Sequence, residues 1–316
     1  MAARDVPIER GQAGSRLSIR TREAINGWLW ASPWILGFLI FTAGPFVASF
    51  YLAFTRYSIT NVPVWVGFDN FVVALSGKDD LFWSSLSRTL QWAFVLVPIS
   101  IILSFLAAAL LNQRLKGTVI FRTIFFLPSL TPVVALALVW RWLYHAEFGA
   151  INYLLYLVGI PEGPRWLSDS STAMPSLMIS ALWASIGGSA MIIFLAGLQG
   201  VPQELQEAAE IDGASALQRL LSITLPMMSA TIYFNLVVGV IAALKVFALA
   251  FVGTGGGPNY ATWFFILHLY QTAFQNFEFG YASALAWIFF VIVVILTYLN
   301  VRLSRRWVYY EGDERA

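Results

Sequence analysis

The sequence predicts an all-α membrane protein, a polytopic bundle of about six transmembrane helices interrupted by one polar helix–turn–helix insert. Three observations carry that prediction. The 316 residues are 59% hydrophobic and only 11% charged, where a soluble domain is roughly 45–50% apolar and about 25% charged. Six stretches reach the roughly 20 apolar residues that a helix needs to cross a hydrocarbon core of about 30 Å. Between the fourth and fifth stretches lies QELQEAAEIDGASALQRLLSITLP, residues 203–226, with four carboxylates, one glycine and a helical apolar rhythm.

The elements follow in chain order. A basic tail, 1–27, precedes a first span at 28–53, whose apolar run far exceeds the 7–15 residues of a signal-peptide core, so it reads as a retained helix. Further spans are expected at 89–111, 120–143, 174–198, 227–252 and 281–301, and a short tail, 302–316, closes the chain. Long continuous apolar runs do not fit barrel strands, and an open sheet edge has no place in lipid. Pro33, Pro45, Pro98, Pro128 and Pro132 lie in or beside spans, and Gly187 and Gly188 fall inside the fourth. Such breaks are tolerated where neighbouring helices or a water-filled cavity satisfy the freed backbone groups, which favours a packed bundle over separate anchors; ordinary kinks and close helix packing account for any one of them equally well.

Orientation follows from alternate loops, because cytoplasmic loops carry the excess of Lys and Arg. One side holds thirteen: Arg4, Arg10, Arg16, Arg20, Arg22, Arg114, Lys116, Arg122, Arg219, Arg302, Arg305, Arg306 and Arg315. The other holds four, Arg56, Lys78, Arg88 and Arg165. Both termini and the polar insert are therefore expected in the cytoplasm. Cysteine is absent and the two histidines, His145 and His268, have no ligand partner nearby in sequence, which argues against a metal or acid–base site. A net charge of +2 gives no basis for nucleic-acid binding.

Within the insert, Pro202 suits a first helical position, and Glu204 and Glu207 complement the positive helix start. A first helix is expected over 202–212. Gly213 fits a helix stop, Ser215 with Gln218 matches a capping box, and Leu217, Leu220, Leu221 and Thr224 share one face of a second helix that meets Pro226 at the start of the next span. Glu204, Glu207 and Glu210 recur every three residues as an acidic stripe. A hairpin lying on the bilayer would be expected to present basic residues to the anionic leaflet, so the stripe suits a protein partner with basic groups; a solvated hairpin that only links two spans is the plainer alternative.

The stretch EAAEIDGASALQRLLSITLP resembles the cytoplasmic signature of binding-protein-dependent ATP-binding cassette (ABC) importer permeases. Its defining positions are Glu207, Ala208, Ala209, Gly213, Ile223, Leu225 and Pro226. PWILGFLIFTAGPFVASFYLAFTRY, FRTIFFLPSLTPVVALALVWRW, FLAGLQGVPQELQEAAEIDGA and VGTGGGP extend the resemblance along nearly the whole chain, to the sugar-importer branch that includes maltose and glycerol-phosphate permeases. Gln206 stands where that branch frequently has Tyr, and Ala248 where Asp often follows Val-Phe. The resemblance implies a multi-pass subunit of a bacterial inner membrane. Its coupling loop, 202–226, docks on a cytoplasmic ABC ATPase dimer, beside a second homologous permease and an extracytoplasmic solute-binding protein. Glu207 would face basic or polar groups of the ATPase, Ala208 and Ala209 would allow close approach, and Asp212 and Gly213 would form the turn. This chain has no phosphate loop, since Gly77-Lys78 lacks both the upstream glycine and the following hydroxyl. ATP and Mg are thus expected on the partner, with no cofactor and no catalysis here.

Transport sites lie near mid-depth in broken spans, marked by small, polar or aromatic residues. Candidates are Ser129 and Thr131 in the third span, Trp183, Ser185, Gly187, Gly188 and Ser189 in the fourth, and Asn235, Gly239 and Lys245 in the fifth. Lys245 reads either as a substrate or gate residue or as a side chain snorkelling outward. A proton-coupled secondary transporter is the rival function; such relays use Asp or Glu at membrane depth, and none falls well inside the six stretches.

Overall fold

The computed structural model describes residues 18–113 and 116–309. Arg4, Arg10, Arg16, Arg114 and Arg315 of the charge count lie outside those residues. The chain divides into two compact units, Met1–Tyr51 and Leu52–Ala316.

The first unit is one helical rod. Ser18 caps α1 (Ile19–Phe38) by accepting from the Thr21 N–H at 3.2 Å. A π turn, Leu39–Ala43, then leads into α2 (Gly44–Ala53). The helix begins nine residues before the expected 28, because apolarity marks depth in lipid whereas the cap marks where the helix starts. The widened turn has a local cause. Pro45 lacks an N–H and its ring crowds the preceding turn, and Gly44 bonds five residues back to the Leu39 carbonyl.

In the second unit, strands β1 (Thr55–Arg56) and β2 (Val64–Trp65) pair antiparallel, and α3 (Asp69–Leu75) follows. α4 (Asp80–Asn112) is a single helix of 33 residues that keeps Pro98 in its interior. The third span is α5 (Thr118–Phe126), a 3-10 turn (Leu127–Leu130) and α6 (Val133–Leu143), bent by 97°. α7 (Ala150–Leu157) lies in the next connection, and the fourth span is α8 (Ala173–Ser185) with α9 (Ser189–Gln199), bent by 47°. The hairpin consists of α10 (Gln203–Ile211) and then α11 (Ala216–Arg219), a π turn (Leu220–Thr224) and α12 (Leu225–Met227) in one run. That run meets α13 (Ser229–Leu244) at 67°. α14 (Ala248–Gly253), α15 (Phe265–Tyr270) with a further π turn (Gln271–Gln275), and α16 (Phe279–Ser304) complete the unit. Among the described residues three helices are long and apolar enough to cross a membrane, or six if each bent pair is one span.

The expected fifth span, 227–252, differs most. Its helix ends at Leu244, Lys245 caps it, and the chain restarts at Ala248. Lys245 is thus not inside a continuous helix: it sits exposed at a helix end, where a cation complements the negative end of the dipole. Pro226 does not begin a span either. It continues the second hairpin arm, because the Leu225 N–H reaches back to the Leu220 carbonyl across the π turn, the same device that precedes Pro45.

α4 is the mast of this unit, packed by α8, α9, α13 and α15. Two apolar clusters sit along it. One joins Phe82, Trp92 and Val97 of α4 to Phe264, Phe265, Leu285 and Phe289. The other, nearer the hairpin, joins Phe105, Ala108 and Leu111 to Met191 and Phe194 of α9 and to Met228. Between helices in lipid such interdigitation, rather than escape from water, supplies the cohesion. α15 is the unexpected wedge: Phe265 stacks on Phe289 at 4.6 Å, and its N–H donates to the buried Thr89 hydroxyl at 2.8 Å.

Asp79 fixes the start of α4. One carboxylate oxygen accepts from the Leu81 N–H at 3.0 Å, and the other accepts from His268 Nε2 at 2.8 Å and the Tyr281 hydroxyl at 2.6 Å. Burial raises its pKa, but the hydrogen bonds from Tyr281 and His268, attraction to the His268 ring and the Leu81 N–H outweigh burial and hold it below the ordinary 3.8. Asp79→Ala, which strands the buried His268 and the half-buried Tyr281, is expected to cost about 3 kcal/mol of stability. A carboxyl held low contributes stability above its unfolded pKa and loses it as pH falls through the folded value. Thermal melts of the detergent-solubilised protein across pH 3–7 check this: the gap between wild type and variant closes only at the acid end.

Candidate functional site

The hairpin is locally determined at every corner. α10 ends in a Schellman motif: the Ala214 N–H reaches the Ala209 carbonyl at 2.9 Å and the Gly213 N–H the Glu210 carbonyl at 3.0 Å, with Asp212 as the C-cap. Gly213 has φ +81°, the left-handed conformation that a side chain disfavours. Two residues on, the Ser215 N–H donates to Gln218 Oε1 at 2.8 Å while Ser215 Oγ accepts from the Gln218 N–H at 3.4 Å, a complete capping box.

Two side-chain pairs brace its arms. Arg219 Nη1 meets Glu210 Oε2 at 2.6 Å, and Gln206 Nε2 donates to Thr224 Oγ1 at 3.1 Å. Glu210 is therefore turned to its own hairpin and is not a free member of the acidic stripe; Glu204, Glu207 and Asp212 stay exposed, with Glu207 accepting from Gln203 at 2.6 Å. The expected apolar face of the second arm is split as well. Leu220 and Leu225 pack against the cluster around Phe194, Ile223 and Thr224 are half-buried, and Leu217 and Leu221 remain 63% and 55% exposed. The π turn rotates the register, so a regular helical wheel misplaces these residues. Together with Leu205 and the 86% exposed Ile211, Leu217 and Leu221 give a polar hairpin several exposed apolar side chains. Ala208 and Pro226 are exposed beside them.

A second candidate region lies where two broken spans meet. A Cβ on Gly187 would fall 1.6 Å from the Phe125 carbonyl oxygen, and one on Gly188 3.5 Å from Ser129 Cβ. The breaks at 127–132 and 186–188 therefore touch, which brings Ser129, Gly187 and Gly188 together. Ser129 donates to the Phe126 carbonyl at 2.7 Å and Ser185 to that of Leu182 at 3.1 Å, so both hydroxyls satisfy their own helices. Thr131 closes the 3-10 turn, and Ser189 opens α9 and is exposed. Trp183 meets Trp140 edge to face at 5.9 Å. Asn235 is buried and donates to the Thr231 carbonyl at 2.9 Å, while Gly239 faces Val97 across the α4–α13 contact.

Sequence reasoning missed the pairing of His268 with Asp79, 189 residues apart, and the hub at Asn152. That amide donates to the Ala146 and Pro164 carbonyls and accepts from Trp166 Nε1 at 2.7 Å, ordering the connection between α6 and α8. Local spacing carries no signal for either. Among the described residues no group of three or more His, Asp and Glu is placed to hold a metal ion.

The family described as "Binding-protein-dependent transport system inner membrane component" matches residues 100–309. The chain is 40% identical over 300 residues to "Probable ABC transporter permease protein YesP" of Bacillus subtilis, with 94% of this chain and 96% of that protein covered. It is 33% identical over 290 residues to "Trehalose/maltose transport system permease protein MalF" of Thermococcus litoralis, with coverages of 91% and 96%. A chain in the "Crystal structure of a bacterial ABC transporter involved in the import of the acidic polysaccharide alginate" shares the fold, with a TM-score of 0.79 at 24% identity over 91% of this chain and 99% of that one.

Gly187→Ala is expected to force the two breaks apart and to lower the melting temperature by several degrees, since the obstacle is backbone that cannot rotate away. Ser215→Ala, by contrast, removes only a cap, costing about 1 kcal/mol. Melting both variants beside wild type in one detergent checks the ranking.

Proposed function

Because this chain belongs to the binding-protein-dependent transport system inner membrane components, we propose that its hairpin, 202–226, is the element through which a separate ABC ATPase drives it. The chain is a multi-pass permease subunit of an ABC importer of the sugar type and is not an enzyme. The observation that carries the coupling role is the hairpin itself: a doubly braced, fully capped turn that presents Glu204, Glu207, Leu205, Ile211, Leu217 and Leu221 outward. Exposed carboxylates beside exposed leucines fit a groove with apolar walls and a basic rim. Ala208 permits close approach, and Ala209, Asp212 and Gly213 shape the turn that enters.

ATP and Mg are held by that ATPase dimer, on the cytoplasmic side with the hairpin and both termini. Ile223, Leu225 and Pro226 link the docked arm to α13, so closure of the ATPases biases one of two bundle arrangements. A second homologous permease completes the channel, and an extracytoplasmic binding protein delivers the cargo. A sugar or oligosaccharide suits the relatives' names and the aromatic pair Trp140 and Trp183, which offers apolar surface to a sugar ring. The path runs past the touching breaks, with Ser129, Thr131, Ser185, Gly187 and Ser189 on the third and fourth spans and Asn235, Gly239 and Lys245 on the fifth.

Glu207→Lys is expected to leave the protein in the membrane while ATPase co-purification and solute uptake fall by about tenfold or more, the loss and inversion of one interfacial charge. Pull-down and uptake measured on the same membranes check it; normal values of both would remove Glu207 from the interface.

A further inference from the structure

Between α4, α13 and α16 runs a crevice of about 410 Å³. Its walls are almost wholly apolar, with Val97 on α4, Val240 on α13 and Leu296, Leu299 and Leu303 on α16. The α16 residues fall on one stripe of about 10 Å of helix rise, from Leu296 to Leu303, and Trp307 in the turn that follows also lines the crevice. A solute rich in hydroxyls would find few hydrogen-bond partners along such walls, whereas an alkyl chain would find continuous contact.

The residues adjoining Leu303 and Trp307 in sequence are of opposite character. Arg302 lies in the last turn of α16, and Arg305 and Arg306 follow directly before Trp307. All three are exposed, and none forms an ion pair among the described residues; Arg302 donates to the Tyr298 hydroxyl at 3.3 Å. The segment is held in place, because the Tyr309 N–H donates to the buried Ser229 hydroxyl at 2.8 Å and Trp307 meets Tyr233 edge to face at 6.4 Å. Positive charge at the cytoplasmic end of a span is general. What is particular is an apolar crevice whose lining residues Leu303 and Trp307 stand next in sequence to three arginines without an ion pair among the described residues.

We propose that this crevice binds an anionic phospholipid of the inner leaflet, one acyl chain lying between α4, α13 and α16 and the phosphate held by Arg302, Arg305 and Arg306. The leaflet follows from the orientation proposed above; the pairing of crevice and charges stands without it. Guanidinium groups grip phosphate oxygens in pairs, and clustered arginines beside a helix end favour anionic headgroups.

The test uses the whole transporter, purified from nanodiscs of equal parts phosphatidylglycerol and phosphatidylcholine, with retained lipids counted by native mass spectrometry. The wild type is expected to retain phosphatidylglycerol about tenfold over phosphatidylcholine. The triple Arg302→Gln, Arg305→Gln, Arg306→Gln variant should lose that preference, and the matching triple Arg→Lys variant should keep most of it. Val240→Trp, which fills the crevice, should lower retention of both lipids. No preference in the wild type, or a preference unchanged by both the Gln triple and Val240→Trp, overturns the proposal. So does a Leu299→Cys cross-link to the partner permease, which would show protein in the crevice. ATPase co-purification is read on the same samples: its loss with the lipid preference intact counts against the coupling role and not against this site.

Discussion

In lipid no water is at hand to satisfy a freed backbone N–H or carbonyl, so each irregularity in a span has to be repaired by the chain itself. The bends of this protein are the record of those repairs. In the first span Pro45 follows a π turn whose last N–H reaches five residues back, and the hairpin arm repeats the device before Pro226. The break before Gly188 is closed by its own N–H on the Ser185 carbonyl at 3.0 Å, and Gly187 lets the opposing Phe125 carbonyl come near. Because the third and fourth spans are broken at the same place, they can touch where ordinary helices would be held apart by side chains. The unbroken α4 supplies the reference against which these bent elements pack.

The two ends of α4 solve different problems. At one end a half-buried carboxylate caps the helix and gathers α15 and α16 around it, a polar knot of three hydrogen bonds. At the other, small and aromatic side chains of α4 and α9 interlock around Met228, directly beneath the hairpin. The hairpin is thus attached to a packed cluster of the bundle, while Glu204, Glu207, Ile211, Leu217 and Leu221 stay exposed on its own surface. That division suits the docking role proposed for the hairpin.

What the sequence made legible was whatever is local. Span positions could be read because length and apolarity act over twenty adjacent residues; helix ends could not, because α1 and α4 run on through polar turns to caps at Ser18 and Asp79. Gly213 and the Ser215–Gln218 box could be read because a turn is decided by its own residues. The outward face of the second arm could not, since a single widened turn at Leu220–Thr224 shifts every later side chain. α15 is six residues of helix that pass straight into a π turn, too short for a regular period to register, and its burial against Thr89 and Phe289 is a matter of tertiary packing. Asp79 and His268 looked unremarkable for the same reason.

The bend at Met228 has a mechanical reading. The second arm of the hairpin, Ala216–Met227, is about 18 Å long and α13 is about 24 Å. They meet at 67° around a residue only 1% exposed. Two rigid limbs joined at a fixed angle about a confined pivot form a bell crank, and its gain is the ratio of the limbs, about four to three. A tug on the hairpin tip of a few ångströms would therefore emerge slightly enlarged at Leu244, turned from one direction into another, beside the break that Lys245 caps.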